Sequence, residues 1–327
     1  MNIYNEKQLE IKKQHHYVWA DYMRYWSLNN RDVYYTKKRG GIALDSVKSI
    51  AVEKHFYKVG NLSSEHIDLI LSFIFMSNNK ELIDHHLISL KYYLDMQQLY
   101  ELSLHSEVKS EDANLAFEAF INNSVENKHF ELERNSQPIA NELRKLNTKV
   151  LKNKDKMTDF LIFLGNQITR TKTFKDTIIN SLSVSPEKNQ GHLIDDCWWF
   201  LSLVFGYNIS EKLCNDIERY QHTILVNETE TPFITSDQPV ANIFPNLTYK
   251  QPPRDNETDY FYPLSPTKAY LISKSGRFKS GISFVDEVFV EQVNKEVSMG
   301  AYYHIISNNK DSLKPYQKLV GKRIKQG

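Results

Sequence analysis

The apolar pattern of this chain changes character twice along its length, and this change limits the folds that it can adopt. Residues 63–220 repeat apolar side chains at helical spacing, as in Ile67, Ile70, Leu71 and Ile74. The flanking regions instead contain short runs rich in β-branched and aromatic residues. The clearest runs are Val33-Tyr34-Tyr35-Thr36, Thr223-Ile224-Leu225-Val226 and Ala269-Tyr270-Leu271-Ile272. We therefore predict a mainly helical α+β fold with a small antiparallel sheet formed from N-terminal and C-terminal strands.

A length of 327 residues allows one large domain or two. We predict a single domain over residues 1–327, with a helical insert at about 63–220 between strand-bearing ends. Glycine is scarce, at 11 residues, which argues against a glycine-looped nucleotide-binding fold. The formal net charge of +1 gives no global basic field of the kind that dominates nucleic-acid affinity. The lysine-rich stretch 145–156 is interpreted as a solvated face.

Local signals divide the chain further. Residues 81–105 predict one long helix, and residues 110–122 predict a shorter one. Pro138 suits the first turn of a helix over about 139–151. The run Phe233-Ile234-Thr235 follows the strand at 223–226 after four polar residues, which predicts a hairpin.

Two cysteines, Cys197 and Cys214, are too few for a disulfide framework or a thiolate zinc site. A reduced, cytoplasmic protein is the simplest interpretation. The polar residues 1–13 do not form a secretory signal, and the apolar run 197–205 is too short to span a bilayer. We expect no membrane association.

The first candidate site motif is Gln14-His15-His16-Tyr17-Val18-Trp19, which sets two imidazoles among aromatic residues. Partial burial there would tune the protonation of His15 and His16. A hydrogen-bonded structural histidine would explain the same pattern. A second pair of adjacent histidines, His85-His86, lies in the long helix predicted at 81–105. We interpret this pair as part of the protein surface.

The second motif is Phe233-Ile234-Thr235-Ser236-Asp237-Gln238-Pro239. At the end of a strand, Ser236, Asp237 and Gln238 would project into a cleft. Asp237 would then orient a histidine, bind a metal or act as a base. Alternatively, Asp and Ser before Pro form a turn through bonds to nearby backbone amides.

Gln167 and Arg170 lie on the apolar stripe of a helix and need hydrogen-bond acceptors there. A substrate carbonyl, an Asp carboxylate or a phosphate would be a suitable acceptor for these two side chains. A buried structural Arg–carboxylate pair would satisfy Arg170 as well. Glu131 and Glu133, before Gln137-Pro138, are the additional carboxylates nearest to a plausible site helix, and sequence distance does not show that they face it. There is no Walker A loop, G-x-S-x-G, H-E-x-x-H or CxxC motif.

At these motifs the chain resembles the bacterial family called domain of unknown function 4238. The resemblance continues through Gln167-x-x-Arg170, the Ser236-Asp237-Gln238-Pro239 segment and Tyr262-Pro263-Leu264-Ser265-Pro266, and it ends near Asn294. Trp19 stands where many family members carry Pro. The resemblance implies that His16, Gln167, Arg170 and Asp237 belong together, but it implies no activity.

The favoured hypothesis is a hydrolase acting on a phosphate-containing substrate such as nucleic acid, so the expected partner is nucleic acid or a phosphate-containing small molecule. His16 and Asp237 would be catalytic, with Arg170 as an anion clamp and His15, Gln167, Ser236 and Gln238 binding substrate. The cofactor is unknown, and a divalent metal is possible. The alternative is a non-catalytic sensor or protein-interaction module, in which the same residues form a structural polar network and aromatic side chains meet a protein partner.

Overall fold

A computed structural model describes residues 9–107, 110–182, 191–245, 247 and 253–323. Strands occur near both ends of the chain. In chain order they are β1 (Gln14–His16), β2 (Asp32–Thr36), β3 (Ile42–Ser46), β4 (Val52–Lys54), β5 (Gln221–Asn227), β6 (Thr235–Ser236), β7 (Ala241–Asn242), β8 (Asp259–Ser265), β9 (Lys268–Ser273), β10 (Gly281–Val285) and β11 (Ile305–Ser307).

Helices fill the middle of the chain and recur near its C-terminal end. They are α1 (Ala20–Met23), α2 (Ser64–Ile74), α3 (Lys80–His105), α4 (Glu111–Arg144), α5 (Lys154–Thr169), α6 (Lys172–Leu182), α7 (Gly191–Asp196), α8 (Trp198–Asn215), α9 (Glu287–Gly300) and α10 (Lys310–Leu313). Short 3₁₀ turns span Arg24–Trp26, Val47–Ser49, Thr148–Lys152, Asp255–Glu257 and Lys314–Leu319.

Polar side chains fix where several helices begin. Backbone N–H groups of the first turn donate to the cap residues of helices α2, α3, α4, α5 and α9, which are Ser63, Asn79, Ser110, Asn153 and Asp286. These bonds satisfy donors that have no partner within the helix. Among the described residues, no helix combines the length and apolar character needed to cross a membrane.

The strands form three sheets, so the prediction of one small sheet is only partly right. A four-stranded antiparallel sheet has the order β3-β2-β11-β6 and joins both ends of the chain, as expected. A five-stranded sheet, β10-β5-β9-β8-β7, uses only strands after residue 220, and its β10–β5 pair is parallel. Strands β1 and β4 form a separate antiparallel pair.

Two local predictions were wrong. The expected hairpin does not form, because β5 pairs with β9 and β10 while β6 pairs with β11 in another sheet. The two helices expected around Pro138 are one continuous helix, α4, which contains Pro138. Residues on both sides of Pro138, among them Leu132 and Ile139, are buried, so tertiary packing holds the helix through the proline.

The largest apolar cluster combines side chains from the N-terminal segment, the helices and the C-terminal strands. Tyr17 and Trp26 pack in the same cluster as Phe160 of α5, Tyr262 of β8 and Ile306 of β11. A second cluster lies between the C-terminal strands and α9. A single domain requires one apolar core shared by both ends of the chain and the helices, and the first cluster has this composition. The single domain itself stays a prediction.

Candidate functional site

His15 is fully buried beside the β1–β4 pair and both of its ring nitrogens have partners. Its Nδ1 accepts the backbone N–H of Tyr57 at 2.8 Å, so its Nε2 carries the proton and donates to the Lys12 carbonyl at 3.0 Å. Burial lowers the pKa of His15, which keeps the ring neutral. The side chain therefore ties β1 to the segment that follows β4.

His16 is partly buried and lies on the face of β1 opposite to that of His15. Its backbone N–H donates to Glu126 Oε1 at 3.3 Å, and its Nε2 lies 3.2 Å from the Lys48 carbonyl, to which it donates. Burial lowers the pKa of His16, and the nearby Glu126 carboxylate opposes that shift. The Lys48 carbonyl therefore holds the ring, and Glu126 of α4 holds the backbone N–H of the same residue.

Gln167 lies in the last turn of α5, Arg170 follows its end, and both bind the backbone at the end of β1 and just after it. Gln167 Nε2 and Arg170 Nε both donate to the Tyr17 carbonyl at 3.1 Å. Arg170 Nη2 donates to the His16 carbonyl at 3.2 Å and to Glu133 Oε1 at 2.5 Å. Arg170 is only 2% exposed, so this arrangement is the buried Arg–carboxylate pair considered from the sequence.

The acidic partner belongs to a buried polar stripe along α4. Asn122, Glu126, His129 and Glu133 recur every three or four residues and so share one helix face. Burial raises the pKa of the Glu133 carboxyl to about 7, against the opposing effect of Arg170. Sequence reasoning missed Glu126 and His129. Their spacing was a usable signal, but a polar stripe normally faces solvent.

Asp237 follows β6 and is completely buried. Its Oδ1 accepts the N–H of Tyr302 at 2.7 Å, and its Oδ2 accepts those of Tyr303 and His304 at 2.7 and 3.0 Å. Burial raises the pKa of Asp237, while the charge of His304 and these amide bonds oppose the shift. Asp237 thus fixes the backbone between α9 and β11.

The neighbours of Asp237 complete a turn. Ser236 Oγ donates to the Gln238 carbonyl at 2.8 Å and accepts the Gln238 N–H at 3.1 Å. Gln238 Oε1 accepts the hydroxyl of Thr171, and its Nε2 donates to the Val240 carbonyl at 3.2 Å. These local bonds are the turn-forming alternative considered from the sequence.

The structure therefore brings together His16, Gln167 and Arg170 around the backbone of β1. Asp237 bonds a different segment, residues 302–304, and none of its hydrogen bonds reaches His16. A contact through Thr171, next to Arg170 in sequence, links the Gln238 turn to the end of α5.

Across the described ranges, His, Cys, Asp and Glu side chains do not gather in groups of three or more suited to a metal ion. The divalent metal considered from the sequence stays untested.

The comparison with protein families covers nearly the whole chain. The sequence matches the family described as "Protein of unknown function (DUF4238)" over residues 14–196 and 201–311. Searches of curated proteins and of solved structures gave no match. The matched residues include both polar motifs and the helix that carries Gln167 and Arg170. The chain therefore belongs to the family of unknown function DUF4238.

Proposed function

We propose that this protein is a non-catalytic sensor or protein-interaction module, in which the motif residues form a buried network between sheet and helices. The observation that supports this most is the Asp237 carboxylate. It is fully buried, and both of its oxygens already accept backbone N–H groups. A general base must reach the proton that it removes from a substrate. Asp237 instead holds a loop.

The environment of Arg170 supports the same proposal. An anion clamp needs donors that face a substrate, whereas Arg170 directs Nε and Nη2 to two backbone carbonyls and to Glu133. Breaking a buried ion pair of this kind costs several kcal/mol, roughly 3–5, because a charge is left without a partner. A substrate phosphate would have to displace Glu133 at that cost.

The rival proposal is hydrolysis of a phosphate-containing substrate such as nucleic acid, with His16 as general acid/base. The test is a nuclease assay on single-stranded DNA and RNA, with and without divalent metal. It compares the wild type, His16→Ala and His85→Ala, whose side chain is exposed on α3. We expect no turnover above background in any of them. Turnover by wild type and His85→Ala that His16→Ala abolishes would overturn the non-catalytic proposal.

We also propose a cytoplasmic location. Its support is chemical: Cys197 and Cys214 are both free thiols, and cysteines remain reduced in that compartment.

A further inference from the structure

Four separate segments of the chain contribute to one group of side chains, which we call the lysine–tyrosine cluster: Tyr17, Lys38, Lys172, Tyr302 and Tyr303. Lys172 Nζ lies 5.5, 5.9 and 5.6 Å from the ring centroids of Tyr17, Tyr302 and Tyr303. Lys38 Nζ lies 4.4 Å from the Tyr303 centroid. Two ammonium groups therefore share one aromatic ring.

The buried polar network fixes the tyrosines of this cluster. Gln167 and Arg170 hold the Tyr17 carbonyl, and Asp237 holds the N–H groups of Tyr302 and Tyr303. Lys172 begins α6, two residues after Arg170. Three of the residues that we interpret as framework, Gln167, Arg170 and Asp237, therefore fix the position of the cluster. A site built in this way is organised before a ligand arrives.

The charges of the cluster favour an anion. Burial and the nearby Lys38 lower the pKa of Lys172, so the two positive charges raise each other's free energy. Lys172 begins a helix, whose N-terminal end adds partial positive charge. The exposed Lys37 and Arg39 flank Lys38 at the tip of the β2–β3 hairpin.

Three carboxylates accompany these cations. Asp237 raises the pKa of Lys172, but both of its oxygens already accept backbone N–H groups. Glu53 forms an ion pair with Lys172, and its side chain is 43% exposed. Asp176 accepts the hydroxyl of Tyr302. Because Glu53 is well exposed, moving it back into water costs little, and an anion can replace it beside Lys172.

A second lysine in the same protein provides a comparison. Lys274 pairs with Asp216 at 2.8 Å and lies 5.3 Å from the Tyr220 ring centroid. Its side chain is 17% exposed, against 19% for Lys172. Among the described residues, the ring beside Lys274 is that of Tyr220, whereas Lys172 contacts three rings and shares one of them with Lys38. A structural role shared by all half-buried lysines would not explain why three rings and a second lysine lie around Lys172.

We propose that the lysine–tyrosine cluster binds the phosphate group of a small phosphomonoester of the nucleoside-monophosphate class. Lys38 and Lys172 donate to the phosphate oxygens, and Glu53 turns away into solvent. The partly exposed rings of Tyr302 and Tyr303 flank the organic part of the ligand, since bases stack on aromatic side chains. This inference rests on the proposed sensor function and names its ligand class.

The test is isothermal titration calorimetry of the full chain with AMP, inorganic phosphate and adenosine, repeated at higher salt. We expect AMP to bind, inorganic phosphate to bind the same site more weakly, adenosine not to bind, and salt to weaken both anions. Lys172→Met should weaken AMP binding by about tenfold or more, while the matched Lys274→Met stays within about twofold of the wild type. Glu53→Gln should bind AMP several-fold more tightly, because it removes the competing carboxylate.

The inference is overturned if wild type and Glu53→Gln both fail to bind AMP and phosphate, if adenosine binds as well as AMP, or if Lys274→Met loses as much affinity as Lys172→Met. Glu53→Gln keeps the test decisive even if Lys172→Met does not fold. Turnover of nucleic acid alongside AMP binding would refute the non-catalytic function but leave this site standing. Absence of both binding and turnover would refute only the site.

Discussion

Arg170 and Glu133 form an ion pair that is almost completely buried. This pair lies at the centre of the hydrogen bonds between the N-terminal segment and the helices α4 and α5. Arg170 is 2% exposed and Glu133 is 5% exposed. Removing either partner leaves a buried charge or polar group without its match. The pair therefore holds the last residue of β1, His16, and the following Tyr17 against α4 and α5 through the two carbonyls that Arg170 also binds.

Glu133 predicts a particular pH dependence of stability. Its pKa is raised from an ordinary 4.5 to about 7 in the folded protein. A raised carboxyl pKa contributes stability that is full below 4.5 and is lost as the pH rises towards 7. Relative to Glu133→Gln, the wild type should lose about 2 kcal/mol of unfolding free energy between about pH 5 and about pH 8. Denaturant unfolding at several pH values measures this difference.

The control is Glu131→Gln, two residues away, whose side chain is half exposed in an ion pair with Lys128. Its unfolding free energy should follow that of the wild type at every pH, since the histidines that also titrate are common to all three proteins. Parallel curves for wild type and Glu133→Gln would contradict the assignment.

At the level of elements, α5 and α8 approach closely because glycines face each other. A Cβ added at Gly165 would lie 2.7 Å from the Gly206 carbonyl oxygen, which is backbone and cannot turn away. Gly165→Ala should therefore push the helices apart and cost about 1–3 kcal/mol of unfolding free energy. In Gly60→Ala the new Cβ would meet its nearest atoms at 3.4 and 3.5 Å, so this control should be nearly neutral. Equal stability of the two variants in urea unfolding would contradict this packing.

Pro138 gives a second prediction at this level. It is exposed in the interior of α4 and lacks the N–H that would bond one turn back. Pro138→Ala restores that donor at a position where Ala fits. We expect a gain of about 1–2 kcal/mol, since the loss of proline's stiffness in the unfolded chain offsets part of the helix gain. A thermal melt with no increase would show that α4 already accommodates the proline without cost.

For the whole molecule, the four-stranded sheet ties the N-terminal strands to the last ones, and Trp26 Nε1 donates to the Phe233 carbonyl at 2.8 Å. Strand-bearing ends and helices should therefore unfold together. We expect coincident transitions by far-UV circular dichroism, which reports helices, and by tryptophan fluorescence, to which both Trp26 and Trp198 contribute. Two separated transitions would contradict the single-domain prediction.

Local sequence signals account for the elements better than for their partners. Periodicity placed a helix at 81–105, close to the observed Lys80–His105, and the strand signals at both ends were correct. Strand pairing depends on distant partners, so the expected hairpin at 223–235 was wrong. The same limit applies to the site. The sequence indicated that Arg170 needs an acceptor, but Glu133 lies 37 residues away, on a polar helix face whose spacing does not show whether it points inward or towards solvent.

If the motif residues are framework, as we propose, a thermal melt of Asp237→Asn should show a clear loss of stability. The new amide group would face the N–H groups of Tyr303 and His304, which now donate to Oδ2. We predict a loss of about 2–4 kcal/mol and a melting temperature lower by several degrees. Asp84→Asn, which removes an exposed partner of Lys80, should melt like the wild type. An unchanged melting temperature for Asp237→Asn, together with loss of an activity that the wild type possesses, would contradict the account.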